Sequence, residues 1–232
     1  MMQPQAHTGS YYAATVNDVT DFASLLGEQT ADVCIIGAGF TGISTALHLA
    51  ERKLRGIMFP VNSFIIATEP LSAETVAAIN PQDLAVCDPN FVLEYFRLSA
   101  DKRMLFGGRF NYFGDDPQVI MAKHHRKMSR IYPQPAQVGI DYAWGGTIGI
   151  PVNRVPQLGR ISPNAFYCQG YSGHGVNVTH LAGKIMADAV AGTVEQFDMF
   201  ASVKPFIVPG AHWFTQPMVA LGMMYYKIKD RL

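Results

Sequence analysis

The stretch ADVCIIGAGFTG, Ala31 to Gly42, decides the reading of this chain. Val33, Cys34, Ile35 and Ile36 make an apolar run that predicts a strand over Asp32–Ile36. It feeds into Gly37-Ala38-Gly39-Phe40-Thr41-Gly42. A helix-forming stretch, Thr41 to Lys53, follows, with Ile43, Ala46, Leu47, Ala50 and Leu54 along one apolar face. Strand, glycine turn and helix in that order are the context in which GxGxxG binds a dinucleotide. The glycines let the backbone approach a pyrophosphate, and the helix N-terminus favours its negative charge. Such a motif expects a second strand ending in Asp or Glu about 20 residues on, to hold the ribose hydroxyls. Here Gly56 to Ser63 reads GIMFPVNS, without an acid. Glu69 ends a later apolar run, but Pro60 intervenes and Pro70 follows, so it reads as a surface acid at a strand end.

Composition bounds the rest. The chain has 232 residues, enough for one large domain or two small ones. Eighteen basic and eighteen acidic residues cancel, which argues against a nucleic-acid partner. Cys34, Cys87 and Cys168 form neither a CxxC pair nor a disulfide framework. They read as buried small apolar residues in a reducing compartment, hence a cytoplasmic location. Residues 1–30 carry no basic region followed by an apolar core, and no run of about 18 apolar residues suggests a transmembrane segment. The apolar tail Met218–Ile228 is expected to pack on the body, with Met218, Met223 and Met224 as core fillers.

After Gly56 the pattern changes. Strands are expected at Val61–Thr68, Leu84–Asp88, Phe91–Leu98, Leu105–Phe110, Asp141–Ile148 and Asn164–Gln169. Asp101-Lys102 and Gly107-Gly108 punctuate them. An N-terminal arm with aromatic spots carries a short helix near Asp18–Leu26. Ser72 caps a short helix that ends before Pro81. Asp115-Asp116-Pro117 opens a helix running to about Ile131 and stopping at Pro133. The order is a βα start, a largely antiparallel block, and a return to small residues and helix.

A second glycine site closes the pattern. Gln169 to Val178 reads QGYSGHGVNV, between an expected strand and a helix over Val178–Val190. Bare N–H groups at a helix start favour negative charge, and Gly173 and Gly175 allow close approach of a flat ligand. His174 either faces that ligand or fixes the loop. Two such loops suit one extended ligand, a pyrophosphate at the first and an electron-accepting ring at the second. Reduced flavin carries negative charge on its N1/C2=O edge, which a helix N-terminus stabilises. The alternative is a plain turn before a helix.

ADVCIIGAGFTGISTALHLAERK and GRISPNAFYCQGYSGHGVNVTHLAGKIMADAVAG resemble the two flavin-binding ends of the D-amino-acid oxidase superfamily. SYYAAT, IIATEPL, RMLFGGR, WGGTIGIPVNRVPQLGRI and GYSGHGVN are similar to its gamma-glutamylputrescine oxidoreductase branch, in family order along nearly the whole chain. The resemblance implies an α/β fold, α+β overall. A partial doubly wound FAD-binding lobe would take residues 1–56 and 146–200. A mixed, largely antiparallel substrate lobe would take 57–145, and a C-terminal tail 201–232. It implies FAD as cofactor and a small-molecule amine as substrate, oxidised by hydride transfer to the flavin. Gly37, Ala38, Gly39, Phe40, Thr41 and Gly42 take the pyrophosphate role. Ser172, Gly173, His174, Gly175 and Val176 take the flavin-ring role. Trp144, Gly145 and Arg154 lie near the substrate or the ring. Family members are longer, with a ribose-binding Glu on a second strand. The junction of Arg55 with GIMFPVNS therefore reads as an internal deletion of a large middle block.

Other readings stay open. The chain is a flavin-dependent amine oxidoreductase, a non-catalytic remnant serving as a binding or interaction module, or an NAD-binding dehydrogenase that uses only the first glycine motif. Arg154 either clamps a substrate carboxylate or makes a structural salt bridge. His124-His125 have no partner at metal-ligand spacing, and with the basic run Lys123–Arg130 they read as a solvated helix face.

Overall fold

The computed structural model describes residues 9–17, 26–34, 58–91, 93–108, 117–207 and 211–230. The Gly37–Gly42 motif, the helix expected over Thr41–Lys53 and most of the helix expected near Asp18–Leu26 lie outside these residues. The chain divides into two units. Unit 1 takes Met1–Ala23, Asn62–Gly146 and Ala220–Leu232; unit 2 takes Ser24–Val61 and Thr147–Val219.

Unit 1 is built on a sheet. Its elements are a one-turn helix α1 (Tyr11–Ala14), β1 (Met58–Thr68) from Asn62 on, α2 (Ala73–Ile79), β2 (Val86–Cys87), β3 (Glu94–Leu98), β4 (Met104–Gly108), α3 (Pro117–Ile131) and β5 (Ile140–Pro151) as far as Gly146. The strand order is β2-β3-β4-β1-β5, and the β1–β4, β2–β3 and β3–β4 pairs are antiparallel. Alternation along each strand sorts side chains to two faces. Phe64 and Ile66, Phe96 and Leu98, and Met104 and Phe106 enter one core, closed by Met128, Ile120 and Met121 of α3. Ala67 and Leu105 face the other way and form a smaller cluster with Tyr11, Ile65, Tyr142 and Trp144. Ser72 caps α2 as its sequence promises, accepting from the Thr75 N–H.

The arm that carries α1 is fastened by one carboxylate. Asp101 accepts from Tyr11 Oη at 2.6 Å, Ser99 Oγ at 2.7 Å and Arg103 Nε at 2.7 Å. Arg103 also reaches the Thr68 carbonyl and the Asp141 carboxylate. Desolvation opposes ionisation of Asp101. The three donated hydrogen bonds outweigh it and hold the carboxyl well below its usual range. The accepted bond from Tyr11, then burial, pushes that phenol up. Because the folded-state value for Asp101 lies below the unfolded one, about 3.9, its contribution is complete above that pH and is lost as pH falls. Asp101→Asn should therefore cost about 1 kcal/mol at neutral pH, the carboxylate being partly screened by solvent. The gap between the urea midpoints of wild type and variant should begin to narrow below about pH 4 and keep narrowing as pH falls further.

Unit 2 contains a hairpin, β6 (Gln157–Ser162) and β7 (Ala165–Gln169), then α4 (Gly175–Val190) and α5 (Glu195–Ala201). Leu158, Ile185, Ala189 and Phe197 form its core, with Phe166 and Cys168 packed against them. The Arg160 guanidinium lies 4.7 Å from the Phe197 ring centroid and bonds Asp198 at 3.1 Å. The last helix, α6 (Ala211–Lys229), enters unit 1 with its C-terminal half. There Tyr226 stacks on Phe91 at 3.5 Å, and the Asp230 carboxylate accepts from the Phe91 N–H.

Several expectations are corrected. β6 was not expected, because Pro156 and Gly159 interrupt its pattern. Gly159 is needed there, since an added Cβ would lie 2.6 Å from the Tyr167 ring. β2 has two residues rather than five, and α4 starts at Gly175 rather than Val178. Cys34 and Cys87 are exposed and Cys168 is half-buried, so the cysteines are not uniformly core residues; Cys87 sits on an edge strand. His124 is buried rather than solvated, with Nδ1 3.0 Å from the Ile120 carbonyl and Nε2 3.0 Å from the Gly108 carbonyl. Met224 is exposed, because the α6 contact with Phe91 is made through Tyr226. Tyr11 of the N-terminal arm packs on the unit 1 sheet with Ala67 and Leu105, which leaves the lobe assignment of residues 1–56 an expectation.

Candidate functional site

The candidate site is the turn between β7 and α4. Gly170, Ser172 and Gly173 have φ of +77°, +53° and +85°, and the His174 N–H closes a turn on the Tyr171 carbonyl at 2.9 Å. Gly170 is obligatory, because an added Cβ would come within 2.5 Å of Pro151. Ser172 holds the left-handed conformation without being glycine, at a cost of about 1–3 kcal/mol, the kind of strain that accompanies binding loops. Its Oγ leans toward the Gly170 carbonyl at 3.4 Å. The Tyr171 hydroxyl donates to Cys168 Sγ at 3.0 Å, which turns that ring back toward β7. Burial and then the Cys168 contact push the Tyr171 phenol up, and burial pushes the Cys168 thiol up. A protonated thiol is a packing group rather than a nucleophile.

Beyond the turn, α4 begins with no side-chain cap. The first-turn N–H groups of an α-helix have no intrahelical acceptor, so they are offered to whatever lies in front. Gly173 and His174 are exposed, and Val176 is 74% exposed. The His174 Nδ1 sits 3.2 Å from the Ser172 carbonyl, bracing the loop. Beneath it, Gln157 and Gln169 are buried opposite each other across the hairpin, and Gln169 Nε2 donates to Gln157 Oε1 at 3.4 Å. The Gln157 Nε2 is buried and has no acceptor among the described residues. An orphaned buried donor costs about 1–3 kcal/mol. Uncapped amides, a buried carboxamide donor and a loop whose Tyr171 is turned back onto Cys168 fit an electron-rich, flat ligand edge.

The remaining sequence candidates separate. Arg154 lies in unit 2 in the turn after β5, exposed, with φ of +57° and its N–H on the Pro151 carbonyl. Trp144 and Gly145 lie in unit 1 on β5. The Trp144 ring meets Tyr12 edge-on at 5.5 Å, and an added Cβ at Gly145 would touch Phe64 at 3.0 Å. Among the described residues no group of His, Cys, Asp and Glu is arranged to hold a metal. None of the described helices is long and apolar enough to cross a membrane. The sequence reading missed a cleft of about 220 Å³ on the Trp144 face of the unit 1 sheet, lined among others by Tyr12, Cys87, Tyr95 and Arg97. Its signal was the alternation in Glu94-Tyr95-Phe96-Arg97-Leu98, where Tyr95 and Arg97 are the residues left over from the core.

A family model described as FAD dependent oxidoreductase (DAO) matches residues 52–189, a span that starts after Gly42 and ends within α4. The chain is 38% identical to the gamma-glutamylputrescine oxidoreductase of Escherichia coli over 207 residues, 89% of this chain and 47% of that protein. It is 41% identical to a probable oxidoreductase OrdL of Haemophilus influenzae over 184 residues, 79% of this chain and 41% of that one. It thus spans about half the length of the curated relatives it matches. Iminodiacetate oxidase from Chelativorans sp. BNC1 has the same fold over 73% of this chain and 46% of its own, with a TM-score of 0.56 at 20% identity. Glycine oxidase from Geobacillus kaustophilus does so over 71% and 44%, with a TM-score of 0.54 at 20% identity. With a mixed α/β architecture, an antiparallel sheet and a glycine loop opening a helix, this chain belongs to the DAO family of FAD-dependent oxidoreductases.

Proposed function

We propose that the chain binds FAD and acts on a small primary or secondary amine of the gamma-glutamylputrescine type. The observation that carries this is the uncapped start of α4 behind Gly170, Ser172 and Gly173, with the orphaned Gln157 donor beneath. In this reading Ser172, Gly173, His174, Gly175 and Val176 meet the flavin ring, and Gly37–Gly42 hold the pyrophosphate. Bound FAD supplies the acceptor for a hydride from the carbon next to nitrogen. The chain's own part is to aim the α4 amides at the edge where negative charge develops, and to cover the ring with Val176. Residues 146–200 then belong to the FAD-binding lobe and 57–145 to the substrate lobe. The free thiols support a cytoplasmic setting.

A second reading is a binding module without catalysis, favoured by the half-length match to its relatives. One titration separates the two. The purified chain, mixed with FAD, should acquire the absorption bands of protein-bound oxidised flavin and quench flavin fluorescence. Gly173→Ala adds a methyl that meets nothing closer than Ile148 at 3.6 Å, but it strains a φ of +85°. It should weaken FAD binding about 10-fold. A chain that stays colourless with excess FAD overturns the flavin reading.

A further inference from the structure

We propose that the cleft on the unit 1 sheet binds a carboxylate-bearing small molecule, with Arg97 as the anion partner and Tyr12 as a fixed wall. Ile65, Val86, Cys87 and Tyr95 complete the lining. The surface is apolar apart from a guanidinium and two phenols. Arg97 is exposed and has no carboxylate partner among the described residues. Its Nη1 donates to the Leu98 carbonyl at 3.1 Å and its Nη2 to Tyr12 Oη at 3.2 Å. A guanidinium has five N–H donors, so the rest of the fork and the whole charge are available to a ligand.

Tyr12 is set for this role by its neighbours. Its ring lies 5.9 Å from the Arg97 guanidinium on one side and edge-on to Trp144 on the other. The adjacent Tyr11 is tied to Asp101, so the arm that brings Tyr12 over the sheet is anchored independently of Arg97. The Tyr95 hydroxyl is already shared with Ser63 Oγ at 3.1 Å, which leaves Arg97 as the charged group with unmet bonding capacity, beside the Tyr12 O–H. The volume, about 220 Å³, is below the roughly 300 Å³ at which drug-sized pockets begin, and suits a small acid. The choice of a glutamyl-type carboxylate as occupant rests on the amine reading above. The anion site itself does not.

Cys87 lines the cleft with an exposed thiol and serves as a reporter. Its alkylation by iodoacetamide in the full chain, located by peptide mass mapping, is followed against gamma-glutamylputrescine, glutarate and putrescine. Both carboxylates should slow the reaction saturably, and putrescine, which has none, should not. Arg97→Met should raise the half-protecting concentration about 10- to 100-fold, and Arg97→Lys by less, with unchanged circular dichroism. If Arg97→Met fails to fold, Arg97→Lys carries the comparison. Absence of protection by both carboxylates in the wild type, or protection unchanged in the folded Arg97 variants, overturns the proposal. The series is run with and without FAD. Protection without flavin binding sinks the cofactor reading alone, and flavin binding without protection sinks the cleft alone.

Discussion

Gly170→Ala should destabilise unit 2 by about 2–4 kcal/mol and abolish the loop geometry that precedes α4. Two costs add. A side chain at φ of +77° is strained in itself, and its Cβ would overlap Pro151 Cγ at 2.5 Å. Pro151 is fully buried at the end of β5, so its ring has nowhere to move. The measurement is amide hydrogen exchange in the β6–β7 ladder, which should lose protection by the corresponding factor while amides of β3 and β4 in unit 1 keep theirs. Gly173→Ala, whose added methyl meets only Ile148 at an ordinary contact distance of 3.6 Å, should leave that ladder protected. A pair of variants that behave alike would show that the Pro151 contact does not hold the loop.

Phe106→Ala should cost unit 1 about 3–5 kcal/mol. Phe106 is 2% exposed and sits at the centre of the sheet, opposite Ile66 on β1 and Phe96 on β3. It shares the main core with Phe64, Met104 and Met128. Strand neighbours on both sides and α3 above prevent collapse around the lost ring, so the variant pays for the cavity as well as for lost burial. Urea unfolding followed by far-ultraviolet circular dichroism checks this. A loss below about 1 kcal/mol would mean that the core repacks.

Much of the architecture was legible residue by residue. Ser72, Pro133 and the alternation in Phe64–Thr68 mark their elements because capping, ring closure at proline and period-two burial are local effects. The loop Gly170–His174 was legible because glycines between a strand and a helix have few other uses. β6 was hidden because the reason for Gly159 is a ring, Tyr167, on the opposite strand. His124 read as solvated because its burial depends on the carbonyl of Gly108, on a strand distant in sequence.

The candidate site divides the same way. By itself the sequence determined the family, the glycine loop and the helix behind it, since these are carried by contiguous residues whose backbone chemistry needs no partner. Only the tertiary structure decided which side chains surround open space. It folded Tyr12 over Arg97, set Trp144 beside Tyr12, and put Arg154 in a turn of the other unit. It also left Gln157 buried with a donor unmet. The physical reason is that a side chain's bonding capacity is legible from its type, whereas its remaining capacity depends on which neighbours the fold brings to it.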